Sequence, residues 1–220
     1  MEEPIVRVEN LSHRYSVQWA VRDVSFEIFK NGIYGLLGSN GAGKSTTMNI
    51  MCGVLKQTKG NVFVKGINMR EHAVGAKRHI GFLPQKAPLH TEMTVDEYLY
   101  HCADIRLMPK KEIPAAIDRA KEKCGITHFS KRQICNLSGG YQQRVGIAQA
   151  IIHDPLFVIL DEPTNGLDPN QITEVRHLIK GIAEDRAVLI STHILPEVQA
   201  VCDYIMMIEH GQKVFEGTIN

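Results

Sequence analysis

Two hydrophobic periods divide the chain. Apolar and polar residues alternate from Ile5 to Val8 and again from Val24 to Ile28, where Ser25 and Glu27 separate Val24, Phe26 and Ile28. That period of two predicts half-buried strands. Ile33-Tyr34-Gly35-Leu36-Leu37 is instead a short apolar run and predicts a strand buried in a parallel sheet. A helix is predicted over 46–55, and strands over 60–66 and 80–84, both bounded by turn residues. Between Gln85 and Ser138 the period becomes helical. Thr94-Val95-Asp96-Glu97 has the form of a capping box, and Val95, Tyr98, Leu99, Cys102 and Ile105 follow at helical spacing. Ile113, Ala116, Ile117, Ala120 and Cys124 form a second stripe that Gly125 ends. A strand over 157–160, a helix with Ile172, Val175, Leu178, Ile179 and Ile182 on one face, a strand over 187–190 and a hairpin from Tyr204 to Phe215 turning near His210-Gly211 complete the pattern. The prediction is an α/β fold in which a helical insertion interrupts alternating strands and helices.

Composition narrows the classes. With 220 residues, 44% of them hydrophobic and 22% charged, the chain suits one globular domain with an inserted lobe. A formal net charge of +1 supplies no global attraction to nucleic acid or to an anionic membrane, so no nucleic-acid partner is expected. The basic pairs Lys110-Lys111 and Lys131-Arg132 read as solvated helix surface. Five scattered cysteines without a CxxC pair argue against a disulfide framework or a zinc site and fit a reducing cytosol. The N-terminal Met1-Glu2-Glu3-Pro4 has no signal-like character, and no apolar run reaches the about 18 residues of a membrane helix. Any membrane role is therefore expected to run through a separate chain.

The predicted strand ending at Leu37 leads into Gly38-Ser39-Asn40-Gly41-Ala42-Gly43-Lys44-Ser45-Thr46, a complete GxxxxGK[ST] phosphate loop. A triphosphate concentrates negative charge and demands many N–H donors aimed inward. The three glycines let the backbone curl around its oxygens, and the following helix points its positive end at them. Lys44 is expected to reach the β and γ phosphates and Ser45 to offer its hydroxyl to magnesium. Asp161 and Glu162 follow the apolar run Phe157-Val158-Ile159-Leu160, at the carboxyl edge of a parallel sheet where α/β ligand sites lie. Asp161 is the expected metal partner, directly or through water, and Glu162 the carboxylate that orients and activates the attacking water. Leu137-Ser138-Gly139-Gly140-Tyr141-Gln142-Gln143 is a further phosphate-binding turn for which a single site has no use, which implies that two chains share their sites. Ser138 is expected to cap a helix starting near Tyr141, and Gly139 and Gly140 to leave N–H donors open.

These motifs, in this order, resemble those of the ATP-binding cassette family over about 6–217. Besides the phosphate loop, the signature at 137–143 and the acids Asp161-Glu162, the resemblance identifies Gln85 as the glutamine-loop residue, Gly166-Leu167-Asp168 as the following turn and His193, after Ser191-Thr192, as the switch histidine. It implies a phosphate-loop NTPase core with a parallel sheet, an N-terminal antiparallel β subdomain and an α-helical subdomain at about 86–150, together forming one nucleotide-binding domain over 1–220. It also implies that two such domains close head to tail over two ATP molecules. Ser138, Gly139, Gly140 and Asp168 would then act in trans on the partner's ATP, Gln85 would touch the metal and the attacking water, and His193 would contact the γ phosphate. Tyr15 is the candidate for stacking on adenine, with Trp19 as competitor. Tyr141 stands where the family more often has glutamine.

The function implied is the ATP-hydrolysing subunit of a membrane transporter. It would need ATP and Mg2+, pair with a second cassette, identical or not, and sit on the inner face of the membrane through a separate permease subunit. Ala87, Pro88, Leu89 and Met93 are the expected apolar contacts for that subunit. Ser45-Thr46-Thr47 and the run from Glu162 to Pro169 resemble the bacterial exporter branch that serves drugs, lipids, polysaccharides or gliding machinery, whose members often carry a further C-terminal segment beyond the length of this chain. The alternative is a soluble family member in DNA maintenance or translation. The insertion is far too short for the long coiled coil of the first, and the chain has one cassette where the second has two. A binding module without turnover is a third class, against which Glu162 and His193 both speak.

Overall fold

A computed structural model describes residues 3–219; Met1, Glu2 and Asn220 lie outside the described residues. The first alternating segments pair antiparallel as β1 (Val6–Tyr15) and β2 (Gln18–Ile28), with Val6 opposite Ile28 and Val8 opposite Phe26. Both strands are longer than the alternation predicts. Register shifts between Val8 and Arg14 break the period of two, and Asn10, at φ 46°, lies where the chain kinks. With β4 (Lys59–Val64) and β5 (Ile67–Asn68) they form a four-stranded sheet in the order β2-β1-β4-β5, with β3 (Gly32–Leu37) lying between β2 and β4 in the chain but not in this sheet.

The second sheet has the order β10-β9-β3-β8-β7-β6, adding β6 (Ile80–Leu83), β7 (Phe157–Asp161), β8 (Ala187–Thr192), β9 (Tyr204–Glu209) and β10 (Gln212–Thr218). From β9 to β6 it is parallel, and β10 returns antiparallel as the hairpin's second arm. Its central strands are apolar on both faces because both are covered: Phe157, Val158, Ile159 and Leu160 are fully buried. Removing a side chain of this size from water contributes about 1.5–3 kcal/mol. The carboxyl ends of β3, β6, β7 and β8 consequently open on one edge.

Helix α1 (Lys44–Met51) starts at Lys44 because Gly43 takes a left-handed turn, and ends before 55 because Gly53 takes another. The short α2 (Ala73–Lys77) precedes β6. The insertion contains α3 (Val95–Ile105), α4 (Ile113–Cys124) and α5 (Gly139–Ile151). The capping box is formed: Thr94 Oγ1 accepts from the Glu97 N–H, and the Thr94 N–H donates to Glu97 Oε2. Gly125, at φ 64°, ends α4. Tyr98, Leu99, Ile113 and Val145 build the lobe's interior, and the near-buried Lys121 is held by Asp96 at 2.7 Å and Asp118 at 3.2 Å. Ala87, Leu89 and Met93 are partly buried against this interior and Pro88 is exposed, while the Tyr98 hydroxyl donates to Pro88 O at 3.1 Å and ties the segment to α3. Helices α6 (Pro169–Ala183) and α7 (Leu195–Val201) follow β7 and β8. All five cysteines are free thiols.

Candidate active site

Strand β3 runs into the glycine-rich loop, and two of its glycines have no alternative. A Cβ on Gly38 would lie 2.3 Å from Ile208 O, and one on Gly43, at φ 109°, 2.5 Å from Ala20 O. The loop is therefore pressed between β9 and β2, with no room for a side chain at either glycine. Thr47 Oγ1 donates to Gly43 O at 2.9 Å and locks the helix start. Lys44 is 5% exposed and folds across the loop, its Nζ donating to Gly38 O at 2.8 Å and Ser39 O at 3.1 Å. The Ser45 side chain is exposed and faces a cleft of about 720 Å³.

Parallel pairing of β7 and β8 sets Asp161 opposite Ser191. The Ser191 hydroxyl donates to Asp161 Oδ1 and accepts the Glu162 N–H at 2.9 Å, clasping the two acids to one strand end. Glu162 itself is left-handed at φ 47°, a conformation costing a non-glycine residue about 1–3 kcal/mol. Asp161 points into the fold and is 4% exposed, while Glu162 lines the cleft. Glu162 Oε2 accepts from Gln85 Nε2 at 3.0 Å and Asn165 Nδ2 at 3.4 Å, and its Oε1 lies 3.2 Å from His193 Nδ1. Three strand ends thus converge on one carboxylate. Opposite them, Tyr15, Gln18 and Trp19 form the other wall. Tyr15 is half exposed and sets an edge against His13 at 4.7 Å, so both aromatic candidates face the cleft.

The remaining predicted residues lie elsewhere. Ser138, Gly139, Gly140 and Asp168 are not on the cleft wall. Helix α5 begins at Gly139, not near Tyr141, and Ser138, although at the N-cap position, makes no side-chain cap bond. Its hydroxyl and the first-turn N–H groups remain open because Gly139 has no neighbour within 4 Å of where a side chain would start. Gly140 is buried against the Gln171 side chain, and the Tyr141 ring packs edge-on against Phe129 at 4.6 Å. Asp168 caps α6: its Oδ1 accepts the N–H groups of Asn170 and Gln171, both at 3.0 Å. Sequence reasoning missed that capping box, whose signal was Gln171 three residues on, and it missed Asn165 and the Ser191 clasp, which have no sequence signal.

Among the described residues no group of three or more His, Cys, Asp or Glu side chains could hold a metal by itself. The hydroxyl of Ser45 and the carboxylate of Asp161 are hard oxygen donors, and so few of them suit magnesium, which keeps water and phosphate oxygens as its other ligands. A second depression, of about 700 Å³ beside the stacked rings of Tyr34 and Tyr204, has neither a phosphate loop nor paired acids.

A sequence profile described as ABC transporter matches residues 21–165. The Bacillus subtilis protein YxlF, an uncharacterized ABC transporter ATP-binding protein, is 34% identical over 98% of this chain and 71% of its own length. The bacitracin transport ATP-binding protein BcrA of Bacillus licheniformis is 36% identical over 96% of this chain and 69% of its own. Among solved structures, cbiO1 of Clostridium perfringens, part of the ABC transporter complex cbiONQ, superposes with a TM-score of 0.89 at 28% identity, covering 99% of this chain and 90% of that one.

Proposed function

The chain belongs to the ABC transporter family as an ATP-binding and hydrolysing subunit, and we propose that it powers an exporter by closing head to tail with a second cassette over two ATP molecules. The observation that carries this reading is the separation of its two phosphate-binding elements. The cleft holds the phosphate loop, Gln85, Glu162 and His193, whereas Ser138 and Gly139 present unused donors on another, exposed surface. A second copy turned head to tail brings those donors to the γ phosphate that the first copy holds.

In this reading the backbone from Gly38 to Thr46 cradles the phosphates and Lys44 leaves its loop carbonyls for the β and γ oxygens. Tyr15, in preference to Trp19, stacks on adenine. Ser45, Gln85 and, directly or through water, Asp161 would hold Mg2+, which when bound would offset charge developing on the phosphate oxygens. Glu162 accepts a proton from the attacking water, and His193 fixes the carboxylate and contacts the γ phosphate. Asp168 meets the partner across the closed interface. The domain spans 1–220 with its helical lobe at about 86–150, and the lobe's movement, transmitted through Gln85, drives a separate transmembrane permease. No helix among the described residues is long and apolar enough to cross a membrane, which suits a subunit held at the cytoplasmic face by that partner. The exporter assignment draws support from BcrA, named for bacitracin transport.

The test is ATP-dependent association of Glu162→Gln, measured by light scattering after size exclusion. The account predicts a dimer with ATP and none when Ser138→Arg is added. A protein that binds ATP yet stays monomeric at every concentration contradicts it.

A further inference from the structure

One buried acid next to the site is unused in the mechanism above. Glu197, on α7, is 7% exposed and does not line the cleft. Its Oε2 accepts from Thr192 Oγ1 and its Oε1 from Thr164 Oγ1, both at 2.7 Å. Arg176 Nη2 stands 3.9 Å from the same Oε1, too far for a hydrogen bond but close enough to offset the charge. A buried carboxylate is tolerated only when its oxygens are satisfied in this way.

Both hydroxyls belong to segments that present reactive groups. Thr192 immediately precedes His193, and its Oγ1 also accepts the Ile194 N–H at 3.1 Å, so one hydroxyl ties the backbone on both sides of the histidine. Thr164 stands two residues after Glu162, in the turn that the Asn165 N–H closes on Glu162 O at 3.1 Å. One carboxylate therefore fastens the two segments whose side chains meet at 3.2 Å between His193 Nδ1 and Glu162 Oε1. An apolar side chain of similar volume would fill the same space at no loss of packing, but it would leave the segments free to slide against each other.

We propose that Glu197 is a positioning residue that keeps Glu162 and His193 in register; this rests on the reading of that pair as the reactive groups. Because it lies behind the cleft wall and is not part of it, its loss acts on turnover and spares ATP binding.

The test is steady-state phosphate release by Thr192→Val, Thr192→Ser and Glu197→Ala, with Glu162→Gln in the same assay and magnesium and ATP as the only ligands. Thr192→Val and Glu197→Ala should lower kcat by about ten- to a hundredfold, as a misplacement of about 1 Å does, with KM changed less than about twofold. Thr192→Ser, which keeps the oxygen, should restore kcat. If Glu197→Ala does not fold, the near-isosteric Thr192→Val decides. Wild-type kcat in Thr192→Val, failure of Thr192→Ser to rescue, or parallel changes in kcat and KM overturns the proposal. With Glu162→Gln inactive, such results remove Glu197 alone. Normal turnover by Glu162→Gln removes the reading of the pair and the inference with it.

Discussion

His193 Nδ1 lies 3.2 Å from Glu162 Oε1, although the two are 31 residues apart and leave the ends of different strands. With Gln85 Nε2 donating to the other carboxylate oxygen at 3.0 Å, Glu162 is aimed before any substrate arrives. Glu162→Gln keeps the size but exchanges one accepting oxygen for a donating amide and cannot accept a proton. It should retain ATP affinity and lose at least about a hundredfold in turnover, the worth of a placed general base. Phosphate release at saturating ATP, beside equilibrium binding of a fluorescent ATP analogue, checks this; normal steady-state hydrolysis removes Glu162 from the role.

The loop glycines differ in what they can tolerate. Gly41, at φ 81°, has open space around it, so Gly41→Ala should cost only the left-handed strain of about 1–2 kcal/mol. Gly43→Ala adds a 2.5 Å approach to Ala20 O and should cost roughly 2–5 kcal/mol. Denaturant midpoints rank the pair, and equal losses would show that the loop is not pressed against β2.

Asp168 has two roles that substitution separates. Asp168→Ala removes the cap of α6 and should lower stability by about 1 kcal/mol, or about 2–4 °C in Tm, whereas Asp168→Asn keeps an accepting oxygen and should melt like the wild type. Any activity that Asp168→Asn loses then reports on the charge across the interface. Equal melting of Asp168→Ala and the wild type contradicts the capping role.

His153 predicts a pH dependence. Burial, and then the Arg106 guanidinium, push its pKa down to about 3. Its Nε2 lies 3.0 Å from Arg106 Nη1; the Ile80 carbonyl at 2.9 Å pulls the other way, but burial and Arg106 outweigh it and the fold holds the ring uncharged. Below pH 6.5 the unfolded chain takes up a proton that the native protein refuses. Stability from this residue is thus full above that pH and drains away as the pH falls toward 3. From pH 7 to 5 the loss should be roughly 2 kcal/mol, and His153→Gln should flatten that part of the curve. Urea midpoints across the range measure it; unchanged slopes in His153→Gln would refute it.

The fold was legible where one segment sets its own period or cap. The buried run before the phosphate loop, the capping box at Thr94, the left-handed stop at Gly125 and the hairpin turn at His210-Gly211 all act through neighbours in the chain. What stayed hidden depends on distant partners. Alternation in β1 fades because register shifts re-aim its side chains, and the bond by which Tyr98 ties Pro88 to α3 joins residues ten apart across an irregular segment. Most of the residues that line the cleft were legible as motifs, but their relationships were not. Nothing in the sequence says that Ser191 clasps both acids, that Asn165 reaches Glu162, or that Ser138 leaves its hydroxyl unused at the start of α5.

Sharing of sites between chains is the claim on which the rest depends, and complementation measures it most directly. Lys44→Ala disables the phosphate loop and Ser138→Arg blocks the signature, so each alone should be inactive. In an equal mixture half the pairs combine one of each, and one of their two sites escapes both lesions. Turnover should return to about a quarter of the wild-type level. A mixture as inactive as its components would contradict the account.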